Sequence, residues 1–233
     1  MTIRTVFFDV GNTLLTPAIP EGEVLVKVAA DLGVTIDPAL VEQNIPRMWE
    51  RYEELYEADN AIWADEDRAV GIWLTMYEYL CELVGVEKDL RPRIARLGYE
   101  FFLEPDSWAL FDDVISTLFA LRSRGIMLGL ISNWDSSLNA VINGMGIGFY
   151  FGVIISSAVV GLHKPQPEIF QLALREANAL VPETLYVGDH LHADVEGAAG
   201  VGITPVLIDR DDRHPDSKGY IRIRSLRELM EHL

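Results

Sequence analysis

Asp9 stands in the run Asp9-Val10-Gly11-Asn12-Thr13-Leu14-Leu15, directly after the apolar residues Val6-Phe7-Phe8. A carboxylate at the tip of a buried strand can attack an electrophile and can also bind a divalent cation, and metal-assisted phosphoryl transfer needs both. Three more polar clusters follow apolar runs. Ser132 and Asn133 come after Ile126 to Ile131, Lys164 lies beyond Val153 to Ser156, and Asp189 follows Tyr186-Val187-Gly188 with Asp194 five residues on. In such a set Asp9 would attack phosphorus and carry the phosphoryl group as an aspartyl phosphate, while Mg²⁺ held by Asp9 and Asp189 offsets the repulsion between carboxylate and anionic substrate. Lys164 would neutralise the transferring oxygens. Ser132 would donate to a phosphate oxygen, backed by the backbone N–H groups of Gly11 and Asn12 in a tight loop. Asp194 would contact the cation or orient Lys164. The position two beyond Asp9, where an acid could protonate a leaving group, is Gly11.

Every one of these residues also has a purely structural use. Asp9 and Asp189 could be turn residues, Ser132 and Asn133 could cap a helix beginning near Asp135, and Lys164 could face solvent before Pro165. Asp194 could complement a first helical turn. Gly188 either marks a tight turn or keeps the approach to Asp189 open. His163, His190 and His192 crowd the same region without zinc-site spacing, and His190 and His192 are expected to face substrate space or solvent.

The elements that must position these groups show two rhythms. After a buried strand at Thr5 to Phe8 come about a hundred residues of helical pattern without strands: Glu21 to Leu32, Pro38 to Glu57 and Glu66 to Val84, two of them closed by Gly33 and Gly85. From Asp112 helices and strands alternate: helices over Asp112 to Arg124, Ser136 to Asn143, Pro167 to Ala177 and Ala193 to Ala199, each followed by a strand. Those strands are Ile126 to Ile131, Val153 to Ser156, Thr184 to Val187 and Pro205 to Ile208. A weak strand at Tyr220 to Ile223 and a helix from Ser225 end the pattern, and Asp209 to Gly219, with Pro215, is expected to be a mobile polar loop. This grammar predicts an α/β fold, a Rossmann-like parallel sheet core with an inserted all-helical cap domain, in which polar residues at strand tips converge.

The chain has 233 residues, enough for a full core, with 19 Lys plus Arg against 36 Asp plus Glu for a formal charge of −17. Half of the acidic residues fall between 16 and 100, so the insertion carries much of that charge. Such an excess disfavours nucleic acid and anionic membrane surfaces as partners. A single Cys81 excludes an internal disulfide and reads as packing. No signal peptide or membrane-length apolar run is visible, so the expected location is cytoplasmic, as monomer or homodimer.

With its motifs in place, the chain resembles the haloacid dehalogenase (HAD) superfamily of hydrolases, and within it the haloacid dehalogenase-like hydrolase domain-containing subgroup. Four motifs carry the likeness in order: Asp9-Val10-Gly11-Asn12-Thr13-Leu14; Leu130-Ile131-Ser132-Asn133; Lys164 in Gly161-Leu162-His163-Lys164-Pro165; and Gly188-Asp189 followed by Asp194-Val195-Glu196-Gly197-Ala198. The resemblance implies Asp9 as nucleophile, Ser132 as phosphate ligand, Lys164 as stabiliser, and Mg²⁺ held by Asp9, the Gly11 carbonyl, Asp189 and Asp194. It implies a core of residues 1–15 and 98–233, with 16–97 as a helical type 1 cap over the cleft. Phosphatases of the family usually have a second aspartate where this chain has Gly11, so the substrate expected is a small phosphorylated metabolite with a good leaving group. Dehalogenases lack that aspartate too, but no early cap arginine is evident to grip halide and carboxylate. Phosphonatases use a cap lysine, for which Lys27 is the only early candidate. A third reading is a binding module presenting Trp49, Trp63, Trp73 and Trp108 to a partner.

Overall fold

The computed structural model of the chain describes residues 2–59, 61–214 and 219–233. Thr5–Phe8 forms β1, a run with every residue buried. The chain then makes a tight loop in which Leu14 and Leu15 both donate to the Val10 carbonyl. Asn12 takes φ +52 here, a left-handed conformation that asparagine tolerates better than most residues. The chain leaves the core on β2 (Leu15–Pro17) and enters four helices, α1 (Glu21–Asp31), α2 (Pro38–Ala58), α3 (Glu66–Leu83) and α4 (Arg91–Phe101). It returns on β3 (Trp108–Leu110), antiparallel to β2 with Leu15 opposite Leu110 and Pro17 opposite Trp108.

This ribbon corrects the expectation of a strand-free stretch. Three residues are too few for an alternating pattern to show. Helix α4 is a further addition. It starts with Pro92 in its first turn, where a missing N–H costs nothing, and buries Ile94, Ala95, Gly98 and Tyr99. A Cβ at Gly98 would lie 3.3 Å from the Tyr77 ring, so the glycine lets α4 approach α3 closely.

Beyond the ribbon the chain alternates. The elements are α5 (Val114–Ser123), β4 (Met127–Ser132), α6 (Leu138–Gly144), β5 (Val153–Ser156), the short α7 (Ser157–Val160), α8 (Pro167–Glu176), β6 (Thr184–Gly188), α9 (Gly197–Gly200), β7 (Thr204–Ile208) and β8 (Ile221–Ile223). The helix expected over Ala193 to Ala199 begins earlier and splits: a π-helical turn, Leu191–Glu196, precedes α9. The terminal helix is a 3₁₀ stretch, Leu226–His232, begun by a capping box between Ser225 and Glu228. Of the loop expected to be mobile, Pro215 to Lys218 lie outside the described residues. Its near end is anchored, because Asp209 accepts the N–H groups of Arg213 and His214 and Arg222 Nε, all at 2.8 Å.

The six core strands form one parallel sheet in the order β5-β4-β1-β6-β7-β8. Period-two alternation sends Val6 and Phe8 to one face, packed with Leu128, Leu130 and Val187, and Phe7 to the other, with Ile131, Phe170 and Tyr186. Both faces are therefore dry and covered, as parallel sheets require. The helical insertion has its own core, centred on Leu25, Met48, Trp63, Met76, Leu80 and Ile94. Because β1 lies between β4 and β6, crossovers run to either side of it, and its carboxyl end is the switch point where such sheets bind ligands.

Candidate active site

Registry places the tips of β4, β1 and β6 side by side, with Phe8 opposite Leu130 and Val187. The residues that follow are therefore neighbours. Asp9, buried, accepts Ser132 Oγ at 3.1 Å and Lys164 Nζ at 2.6 Å, both on Oδ1. The same ammonium donates to Asp194 Oδ1 at 2.6 Å and to the hydroxyl of Tyr186 at 3.0 Å. Burial works against the charge of Lys164, but Asp194 and Asp9 more than offset it and hold the ammonium above its ordinary range.

Lys164 reaches this position through its backbone. Its N–H donates to Asn133 Oδ1 (2.8 Å) and its carbonyl accepts Asn133 Nδ2 (3.1 Å), so both ends of the Asn133 amide clamp the lysine loop. The segment carrying Asn133 is fixed in turn by the junction of β5 and α7: Ser157 Oγ accepts the Trp134 N–H (3.0 Å) and Ser156 Oγ donates to the Trp134 or Asp135 carbonyl (2.7 Å). Neither Ser132 nor Asn133 caps α6, which begins only at Leu138.

Asp194 sits in the π-helical turn, a distortion frequent at functional sites. Its Oδ2 accepts the His190 N–H (3.0 Å), while Oδ1 takes Lys164 and Tyr186. Gly188 makes room for this carboxylate. It is Asp194, and not Asp189, that the missing side chain accommodates, since a Cβ at 188 would lie 2.3 Å from Asp194 Cγ. Tyr186, read from sequence only as a strand residue, is the floor of the site and accepts Lys164 while reaching Ile131 O (3.1 Å) or Asp194.

Asp9, Asp189 and Asp194 each offer an oxygen, all within 4.8 Å of one another. Burial, with the charges of Asp9 and Asp194, pushes the Asp189 carboxyl up to about 8. Burial also raises Asp9, against the pull of Lys164. One ammonium among three carboxylates leaves negative charge uncompensated, and a hard oxygen-seeking dication such as Mg²⁺ fits that donor set.

The loop after Asp9 is arranged less openly than expected. Asn12 is exposed and its N–H donates to the Leu15 carbonyl (2.7 Å), while the Gly11 carbonyl accepts Thr13 N–H (2.6 Å). A Cβ at Gly11 would meet nothing closer than Trp134 Cζ3 at 3.9 Å, so the position is open toward the cleft side occupied by that indole. Of the histidines, His163 is buried and uses Nδ1 on the Lys164 carbonyl (2.9 Å), and His192 pairs with Glu196 at the surface. His190 stands at the cleft: its ring lies edge-on to Tyr56, centroids 6.5 Å apart, and its Nδ1 accepts the Ala193 N–H (3.1 Å).

The insertion closes the site. Tyr52 and Tyr56 of α2 join Asp9, Lys164, Asp189 and His190 around a cavity of about 110 Å³. Tyr56 donates to the Lys164 carbonyl (3.3 Å), Tyr99 to Asp135 Oδ2 (2.9 Å), and Ser136 donates both its N–H (2.9 Å) and its hydroxyl (2.5 Å) to Glu66. The two cavity tyrosines were hidden in an apolar helical stripe, where aromatic residues usually mean packing. Trp49, Trp63 and Trp73 do pack there, against Tyr52 and one another, and Trp108 lies against Trp134. Lys27 lies outside the cavity, its ammonium 5.0 Å above the Phe101 ring. Cys81 is buried and its thiol is pushed up to about 12 by burial, consistent with packing.

A parallel sheet whose central strand ends in a buried carboxylate cluster, roofed by a helical insertion, defines a hydrolase of the HAD fold, with a site suited to Mg²⁺-dependent aspartyl-phosphate chemistry. The chain belongs to the haloacid dehalogenase-like hydrolase family, whose sequence pattern matches residues 3–202. Among curated proteins it is similar to human haloacid dehalogenase-like hydrolase domain-containing protein 3, 30% identical over 89% of this chain and 82% of the relative. A phosphoserine phosphatase of Thermus thermophilus is 29% identical over 82% of this chain and 75% of its own. A putative HAD-hydrolase of Bacillus subtilis solved with bound magnesium superposes with a TM-score of 0.77 at 21% identity, covering 100% of this chain and 99% of that one. Among the described residues no helix is long and apolar enough to cross a membrane.

Proposed function

We propose that this protein is a Mg²⁺-dependent phosphatase that acts on a small phosphorylated metabolite through an aspartyl phosphate on Asp9. One observation carries the reading: Ser132 and Lys164 both donate to Oδ1 of Asp9, a residue lining the cavity, which leaves Oδ2 clear of both donors as the attacking oxygen. Oδ2 forms a bond to phosphorus as the bond to the leaving oxygen breaks, and that oxygen departs with the electron pair. Water then attacks phosphorus, the Asp9–phosphorus bond breaks, and the carboxylate is regenerated with release of inorganic phosphate, which takes up the proton. Ser132 and Lys164 hold the equatorial oxygens, and Asp194 and Tyr186 keep the ammonium aimed at them. Asp9, Asp189 and Asp194, with the Gly11 carbonyl, would hold Mg²⁺, which when bound supplies the charge neutralisation that lets a carboxylate approach an anion. The helical insertion, expected over 16–97 and extended here to the end of α4 at Phe101, acts as the cap over a core made of the flanking segments.

Gly11 donates no proton to the leaving group, so turnover favours acyl and aryl phosphates, which leave as stable anions. A 2-haloacid substrate would share that independence from an acid, but its carboxylate finds no cation in the cavity other than the engaged Lys164 among the described residues. A charge of −17 and a single buried thiol support a cytoplasmic setting without nucleic acid or membrane partners, as monomer or homodimer. The test is Mg²⁺-dependent hydrolysis of p-nitrophenyl phosphate and acetyl phosphate beside Asp9→Asn, with 2-haloacids as controls. Turnover lost in the variant supports the phosphatase. Halide release would move the assignment to dehalogenation, and silence on both substrate types to a binding role.

A further inference from the structure

Charge and hydrogen bonding around the cavity restrict what can leave from phosphorus, given the phosphatase reading on which this inference rests. The described wall contains three carboxylates and one cation, Lys164, whose Nζ is already engaged by Asp9, Asp194 and Tyr186. None of the eight basic residues between 16 and 100 lines it. Arg51 pairs with Glu54, Arg68 with Asp59, Arg91 with Glu82, and Lys27 lies over Phe101. A second anionic group on the substrate would be desolvated beside carboxylates with no partner. A cavity of about 110 Å³ also falls well below the roughly 300–1,000 Å³ of sites for larger ligands.

Two side chains lining this space, His190 and Tyr52, have a proton to give. His190 Nδ1 accepts the Ala193 N–H, which fixes the imidazole proton on Nε2. The Tyr52 hydroxyl accepts Trp63 Nε1 at 3.2 Å, so its own proton is directed elsewhere. The Tyr56 proton is committed to the Lys164 carbonyl.

We propose that the cavity selects compact phosphates whose remainder carries no charge in the intact substrate and has a hydrogen-bond-accepting oxygen next to the bridging one, acyl phosphates foremost, and that Tyr52 and His190 read that oxygen. Attack by Asp9 on an acyl phosphate breaks the phosphorus–oxygen bond and releases a carboxylate that needs no proton, which the absence of an acid at Gly11 tolerates. The carbonyl oxygen of the acyl group meets the two donors.

Two matched comparisons with Mg²⁺ test this. Butyryl phosphate and succinyl phosphate are both acyl phosphates and differ by a terminal methyl against a carboxylate, and kcat/KM is expected to favour the first by about 100-fold. Acetyl phosphate carries the neighbouring oxygen and p-nitrophenyl phosphate lacks it, so Tyr52→Phe and His190→Ala should each lower the acetyl-to-nitrophenyl ratio about tenfold. A merely structural role would lower both substrates alike and leave the ratio unmoved. Equal turnover of the charged and uncharged partners, or an unmoved ratio in both variants, overturns the inference while leaving the phosphatase standing. If no phosphate is hydrolysed and Asp9 takes up no label from ³²P-acetyl phosphate, the phosphatase reading falls and the inference with it.

Discussion

The carboxylate of Asp194 occupies the space in which a side chain on Gly188 would begin. A Cβ there would lie 2.3 Å from both Cγ and Oδ2 of Asp194. Because Asp194 shares the Lys164 ammonium with Asp9, the Gly188→Ala variant must push it away from that ammonium. Overpacking of this kind costs about 1–3 kcal/mol. We expect a lowered melting temperature and a fall in kcat of about 100-fold or more at saturating Mg²⁺. Wild-type turnover in Gly188→Ala would show that the Asp194–Lys164 contact is dispensable.

Gly11→Asp should add activity. The nearest atom to a Cβ there is Trp134 Cζ3 at 3.9 Å, so the new carboxyl enters the cleft without displacing backbone. A general acid contributes roughly 10²–10⁴ in rate where the leaving group needs a proton. Hydrolysis of an alkyl phosphate is expected to rise by at least about tenfold, while that of acetyl phosphate changes little. If a folded, Mg²⁺-bound variant gains nothing on the alkyl ester, the missing acid is not what limits the enzyme.

Asp189→Asn should separate the protein's stability from its metal affinity. Three carboxylates crowd within 4.8 Å with one ammonium between them, so neutralising one relieves repulsion in the metal-free protein. In EDTA the variant should melt a few degrees higher than wild type, by ~1 kcal/mol converted at this size. In millimolar Mg²⁺ the order should reverse, because the variant has lost a ligand. Calorimetric melts in the two buffers decide it.

Asp113 governs acid stability beside the loop that follows Asp9. It accepts Arg210 Nη1 (2.9 Å) and Nη2 (3.1 Å), Ser225 Oγ and the Leu226 N–H, and Arg210 continues to the Thr13 carbonyl (2.7 Å). Burial alone would raise the Asp113 carboxyl, but these donors hold it below its ordinary value of 3.8. A carboxyl lowered in the folded state releases its proton on folding, so its stabilisation is full above 3.8 and disappears as pH falls through the lowered value. Asp113→Asn leaves the partly exposed Arg210 without its counter-charge, at a cost of roughly 2 kcal/mol at neutral pH. Denaturation curves of the two proteins should converge below that range.

Much of this arrangement was legible because strand tips are where a parallel sheet exposes backbone and side chain together. Asp9, Ser132, Lys164, Asp189 and Asp194 could be picked out in sequence as polar residues following apolar runs, and the sheet brings them to one point. Tyr52 and Tyr56 could not, since a tyrosine on an amphipathic stripe packs and lines a cavity with the same periodicity. Tyr186 was masked by its own strand, and only the fold reveals that its hydroxyl lies under Lys164. The work of Asn133 was likewise invisible, because nothing local announces that its amide will pair with a backbone thirty-one residues away.

The paired strands β2 and β3 have an engineering consequence. Pro17 and Trp108 face each other across the ribbon, so residues 18–107 depart and return one strand spacing apart, about 5 Å. Closing such a gap costs an inserted segment little more entropy when it is long than when it is short. The roof can therefore be exchanged as a cassette, and a library of foreign helical inserts spliced between Pro17 and Trp108 would vary what enters the cleft while leaving the sheet beneath it untouched.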